Sequence, residues 1–186
     1  VHNNGSGDYG GGIDVRHAAG TIENNLVYKN HRGGIRFGDW ISAINHNTVN
    51  YNGIASGLGG GIVYDDLAGE VNALPSGFPP AAIPIRNHIL VGNEKAGINA
   101  GTISGGSCTD WVGYRDYNLV SSNNGSPESE EAGGSFSFIY WFWNLASCGE
   151  NPGEIYDVPE FADESADDYH LISTSPAVDA GDPLFP

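Results

Sequence analysis

The sequence predicts an all-β solenoid, and three observations predict it. One phrase returns along the chain: "IENNLVYKN" at 22–30, "INHNTVNYN" at 44–52, "IRNHILVGN" at 85–93 and "RDYNLVSSN" at 115–123. A glycine-plus-apolar step follows it, ending at Ile35, Ile62 and Ile98, with a weaker version at Phe136. The interval from Ile13 to Ile35 equals that from Asn25 to Asn47, about 22 residues, and longer intervals carry their excess in Gly/Pro/Ser-rich inserts. A fixed period with insertions confined to set places is how a stacked repeat is written.

The first element in order is "DYGGGI", ending at Ile13, which aligns with "NHRGGI" and puts Asp8 in the slot of Asn30. The next four repeats place Asn25, Asn47, His88 and Asn118 in one slot, and Asn30, Asn52, Asn93 and Asn123 in another. Between the slots lies an apolar position: Val27, Val49, Leu90 and Val120. Each repeat thus offers two or three short strands, such as "NLVY" and "GIRF", divided by Gly/Asn corners. The period leaves no room for a helix, so a right-handed parallel β-helix of about five coils is expected, with strands about 4.8 Å apart. Asparagine at a corner tolerates a left-handed backbone and can bond its equivalent one coil on. Glycine before the strand is expected to supply positive φ. Residues 1–125 form these coils, with inserts at 67–83 and 100–114, and residues 126–186 form an acidic, aromatic-containing C-terminal cap and ending.

The formal net charge is −16, and residues 126–186 hold more than half of the acids and no base. Binding phosphate needs clustered Lys and Arg, so nucleic acid and anionic lipid are excluded as expected partners. No run of apolar residues is long enough to insert in a membrane. Cys108 and Cys148 are the two cysteines. They lack the spacing of a zinc or redox motif, and one disulfide closing a loop of about 40 residues in an oxidising compartment is preferred over two free thiols. The chain has no methionine, which is expected of a processed or excised piece, and it begins inside a coil, leaving an open strand end for another chain to stack on.

The N-x-[apolar]-V-x-x-N…GGI pattern resembles the parallel β-helix repeat of bacterial secreted proteins and of the pectate-lyase-like superfamily. The ending "PEFADESADDYHLISTSPAVDAGDP", 159–183, is similar to the closing segment of bacterial surface-anchored β-helix proteins. This resemblance implies an extracellular or cell-surface location in a bacterium. It also implies that an active relative would cleave acidic polysaccharide, an Arg or Lys taking the proton α to a uronate carboxylate that Ca²⁺ neutralises.

With Ile13, Ile35, Ile62 and Ile98 in one inward column, Val15, Phe37, Tyr64 and Ala100 should face in and Asp14, Arg36, Val63 and Asn99 out. His17, Asp39 and Asp66 then line up on successive coils beside Arg16 and Asp65. Asp39, Asp65 and Asp66 are candidate Ca²⁺ ligands, with Arg16 or Arg36 as the candidate catalytic base and His17 as a binding residue. The bland alternative is that these side chains cap corners or face water. The pair Asp65–Asp66 resembles that of β-helix polygalacturonases, but the His-Gly and Arg-x-Lys motifs that go with it are missing. Seven bases also make a poor cleft for an anionic polymer. Trp141 and Trp143, in "GGSFSFIYWFWN", suit either sugar stacking or a plug at the end of the solenoid. The sequence therefore predicts a non-catalytic extracellular module that binds polysaccharide or neighbouring protein subunits. The alternatives are a Ca²⁺-assisted polysaccharide lyase or its degenerate relative, and a subunit stacking end to end on itself.

Overall fold

The computed structural model describes residues 1–4, 11–15, 18–37, 41–53, 60–64, 85–93, 97–100, 115–121, 123 and 155–184. Its strands follow the repeat. The first is β1 (Ile13–Val15). Next come β2 (Gly20–Glu23), β3 (Leu26–Tyr28) and β4 (Ile35–Phe37), then β5 (Ile41–Asn45), β6 (Thr48–Asn50) and β7 (Ile62–Tyr64). The later repeats give β8 (Ile85–Arg86), β9 (Ile89–Val91), β10 (Ile98–Ala100), β11 (Arg115–Asp116) and β12 (Leu119–Ser121). A hairpin of β13 (Phe161–Asp163) and β14 (Asp168–Leu171) follows, joined by a 3-10 turn at Glu164–Ala166, the one helical element among the described residues.

Every third strand returns to the same sheet. The orders are β1-β4-β7-β10, β2-β5-β8-β11 and β3-β6-β9-β12, and all three sheets are parallel, while β13 and β14 pair antiparallel. The chain is therefore all-β, with its strands mostly in parallel sheets. The registers are those the repeat predicts: Ile13 beside Ile35, Ile35 beside Ile62, and Ile62 beside Ile98. Val27, Val49, Leu90 and Val120 form a second column, and each of them is fully buried. Ile22, Ile44 and Ile85 form a third. Together with Ile35, Phe37, Ile41 and Ile62 they make one cluster fed by all three sheets, with Ile13 and Val15 packed against it. Parallel strands whose side chains stack on their own equivalents need this one-type-per-column pattern, because a one-residue slip would turn each column outward.

Two local expectations are corrected. The ladder asparagines do not take the left-handed conformation; the residue before each does. Asn24, His46, Asn87 and Tyr117 precede the first slot, and Lys29, Tyr51 and Gly92 precede the second, all with φ between 52° and 62°. The glycine before each sheet-one strand does not supply positive φ either. At Gly34 a Cβ would lie 2.1 Å from Val49 Cγ1 and 2.7 Å from the carbonyl oxygen of Gly61, and Gly12, Gly61 and Gly97 are crowded in the same way. The residue is glycine because the ladder passes too close for any side chain.

A third correction concerns the first rung. The N–H of Asn4 donates to Asn30 Oδ1 at 3.0 Å, and His2 bridges Tyr28 in parallel, so Asn4 occupies the slot expected for Asp8. Beyond β12, Ile155 adds a further rung: its N–H donates to the Asn118 carbonyl, and its own carbonyl accepts from Val120. The insert at 67–83, the aromatic run, Cys108 and Cys148 lie outside the described residues, as does the insert expected at 100–114 except for Ala100, which closes β10.

Candidate functional site

Most of the chemistry visible in the described residues is spent on two buried ladders. In the second slot, Asn30 donates both its backbone N–H (3.1 Å) and its Nδ2 (2.9 Å) to Asn52 Oδ1. Asn52 does the same to Asn93, and Asn93 to Asn123. The remaining Nδ2 hydrogens reach back one repeat, to the carbonyls of Val27 from Asn52, of Val49 from Asn93 and of Leu90 from Asn123. A ladder asparagine thus satisfies the corner's backbone in its own repeat and in its neighbour, where no water reaches.

The first slot runs the same way with one exchange. Asn25 donates to Asn47 Oδ1, Asn47 N–H donates to His88 Nδ1 at 3.0 Å, and His88 N–H donates to Asn118 Oδ1 at 3.0 Å. His88 Nε2 lies 3.0 Å from the carbonyl of Ile44. An N–H can only donate and a carbonyl can only accept, so Nδ1 is bare and Nε2 carries the proton. In this tautomer the imidazole copies an asparagine, Nδ1 standing for Oδ1 and Nε2–H for Nδ2–H. Burial, the largest effect, pushes its pKa down to about 4 despite the opposing bonds to Ile44 and Asn47.

The outer side of the β3-β6-β9-β12 sheet carries a second arrangement. Tyr28 stacks on His2 at 4.8 Å and meets Tyr169 of β14 at 5.0 Å, and Phe161 packs edge-on against Tyr169 at 5.4 Å. Lys29 pairs with Asp167, and Tyr51 Oη donates to Glu164 Oε2 at 2.7 Å. Burial, then Glu164, pushes the Tyr51 phenol up to about 12, and burial also raises Tyr169. Asn87 Oδ1 accepts from the N–H of Asp182 at 2.7 Å. Residues 155–184, part of the stretch the sequence reads as a C-terminal cap and ending, therefore run along the side of the repeats as a strap. The strap grips the left-handed corner residues themselves: Lys29, Tyr51 and Asn87. Asp163 caps the 3-10 turn, accepting from Ser165 and Ala166, and these bonds hold its carboxyl below the usual range.

Of the sequence-predicted site, Arg36 is described: it lies half-buried on β4, in register with Asp14 on one side and Val63 on the other. Arg16, His17, Asp39, Asp65, Asp66, Trp141 and Trp143 lie outside the described residues. Among the described residues no group of three or more His, Cys, Asp or Glu is placed to hold a metal ion. The strap contacts were missed by the sequence reading. Their signal was faint: a Lys and a Tyr at a corner position where asparagine or glycine is the cheap choice. Comparisons with protein-family models, with characterised proteins and with solved structures found no match.

Proposed function

We propose that this chain is a right-handed parallel β-helix module of an extracellular, bacterial surface protein, with a structural or binding role and no catalysis of its own. The observation that carries the reading is the unbroken ladder system. Three parallel sheets keep the register of the repeat, with one shift between Gly20 and Thr21 in the β2–β5 pair, and the asparagines between them spend their amides on neighbouring repeats. That arrangement makes a stiff rod whose buried polar groups hold the fold and are not presented to a substrate. The partners that suit it are polysaccharide or neighbouring protein subunits, because a surface of net charge −16 repels nucleic acid and anionic lipid. Among the described residues, no helix is long and apolar enough to cross a membrane.

The test is binding of the purified chain to a panel of neutral and acidic polysaccharides, beside light scattering for self-association and an assay for unsaturated uronate with and without Ca²⁺. Saturable glycan binding or concentration-dependent assembly without product supports the module. Ca²⁺-dependent product that is lost in Asp66→Asn and Arg16→Ala overturns it in favour of a lyase.

A further inference from the structure

We infer that the joint between the repeat carrying β5 and β6 and the repeat carrying β8 and β9 is an acid-sensitive latch at His88, one of two histidines there that both act as hydrogen-bond acceptors. The first is His88, whose bare Nδ1 takes the Asn47 N–H inside the ladder. The second is His46, on the left-handed corner just outside it, whose Nε2 lies 2.9 Å from Asn87 Nδ2. The Asn87 amide cannot turn over, because its Oδ1 is committed to the N–H of Asp182 in the strap. His46 Nε2 must therefore accept.

A proton on His88 Nδ1 turns an acceptor into a donor that faces a donor. At His88 the nearest alternative acceptor is the Asn47 carbonyl at 3.3 Å, which already takes the Ile89 N–H. The new charge would also be buried among uncharged rungs, Asn47 and Asn118, a costly place for an unpaired ion. Among the described residues, the groups at this joint are His46 and His88 themselves, Asp182 from the strap and Arg86 from β8; His46 lowers the His88 pKa further. A histidine-free version of the two places stands one repeat earlier, where the chain reads Asn24–Asn25. The sequence therefore has a cheap alternative at both positions and departs from it at one joint.

The sign is fixed by linkage. A histidine whose folded pKa is depressed favours folding above its unfolded value of about 6.5, and that stability is lost as pH falls toward about 4, because the unfolded chain then binds the extra proton. The experiment is denaturant unfolding of the full chain and of His88→Asn, from about pH 7 to about pH 4. The unfolding constant of the parent should rise relative to His88→Asn by up to about tenfold per pH unit below about 6.5. Carboxylate effects common to both chains cancel in that ratio. Should His88→Asn fail to fold, amide exchange on the parent chain decides: protection of the Asn47 N–H should fall with acid relative to the Asn30 N–H, whose acceptor is an asparagine. Parallel pH profiles for parent and His88→Asn, or equal loss of protection at Asn47 and Asn30, would overturn the latch.

Discussion

Asn52 and Asn50 stand two residues apart, both fully buried, and physical chemistry predicts opposite outcomes for their removal. Asn52 Oδ1 accepts from the N–H and the Nδ2 of Asn30, while its own Nδ2 reaches Val27, Asn50 and Asn93. Asn52→Ala leaves the Asn30 N–H and one of its Nδ2 hydrogens without partners, the other keeping the Val1 carbonyl, at about 1–3 kcal/mol each, so urea unfolding should show a loss of roughly 3 kcal/mol. Asn50 is different. Neither its Oδ1 nor its Nδ2 has a partner, and its strand neighbours are Tyr28 and Val91. Asn50→Leu should therefore be neutral or stabilising by about 1 kcal/mol in the same measurement. A third residue-scale case is Gly34→Ala, where the added methyl would overlap Val49 and the Gly61 carbonyl. Overpacking of this kind costs about 1–3 kcal/mol, and a thermal melt should show it. These cases also show what was legible at this scale. The slots of Asn52 and His88 could be read from spacing alone. That the left-handed residue is the one before the slot could not, because Lys29, Tyr51 and Tyr117 are poor residues for positive φ and hide the position.

The strap is where element-scale reasoning matters, since it joins a hairpin to corners far away in sequence. Its polar grip is modest: Lys29 and Asp167 are both half-exposed, so Lys29→Ala should cost no more than about 1 kcal/mol. The Tyr51–Glu164 bond is a short hydrogen bond from a phenol to a carboxylate, and Tyr51→Phe should cost about 1 kcal/mol and speed proteolysis within 155–184 more than Lys29→Ala does. The phenol also sets an alkaline limit. Its folded pKa stands above the unfolded value of 10, so its contribution is complete below about pH 10 and is lost as pH rises toward about 12. Tyr51→Phe should flatten stability across that window. Sequence reasoning saw the 159–183 segment as an ending but not as a lateral strap. Hairpins advertise their own pairing, whereas the surface they dock on is written only in scattered corner residues such as Lys29, Tyr51 and Asn87.

For the whole molecule, the stacked sheets alone would behave as a nearly one-dimensional array, each repeat stabilised by its neighbours and free to fray from either end. The strap changes that connectivity. Ile155 pairs beyond β12, Glu164 and Asp167 hold Tyr51 and Lys29 in earlier repeats, and Asp182 returns to Asn87 in between. Repeats that do not touch through the ladders are thereby coupled, and Phe161 and Tyr169 add aromatic packing on Tyr28. A chain ending before residue 159 keeps Ile155 and every ladder bond, so it should retain its strand signal in circular dichroism. Its unfolding should nevertheless lose cooperativity: the urea transition should broaden, and hydrogen exchange should become graded along the stack, fastest near β2 and β3. An unchanged, sharp transition would mean that the asparagine ladders alone couple the repeats, and that the strap serves the surface and not the stability of the rod.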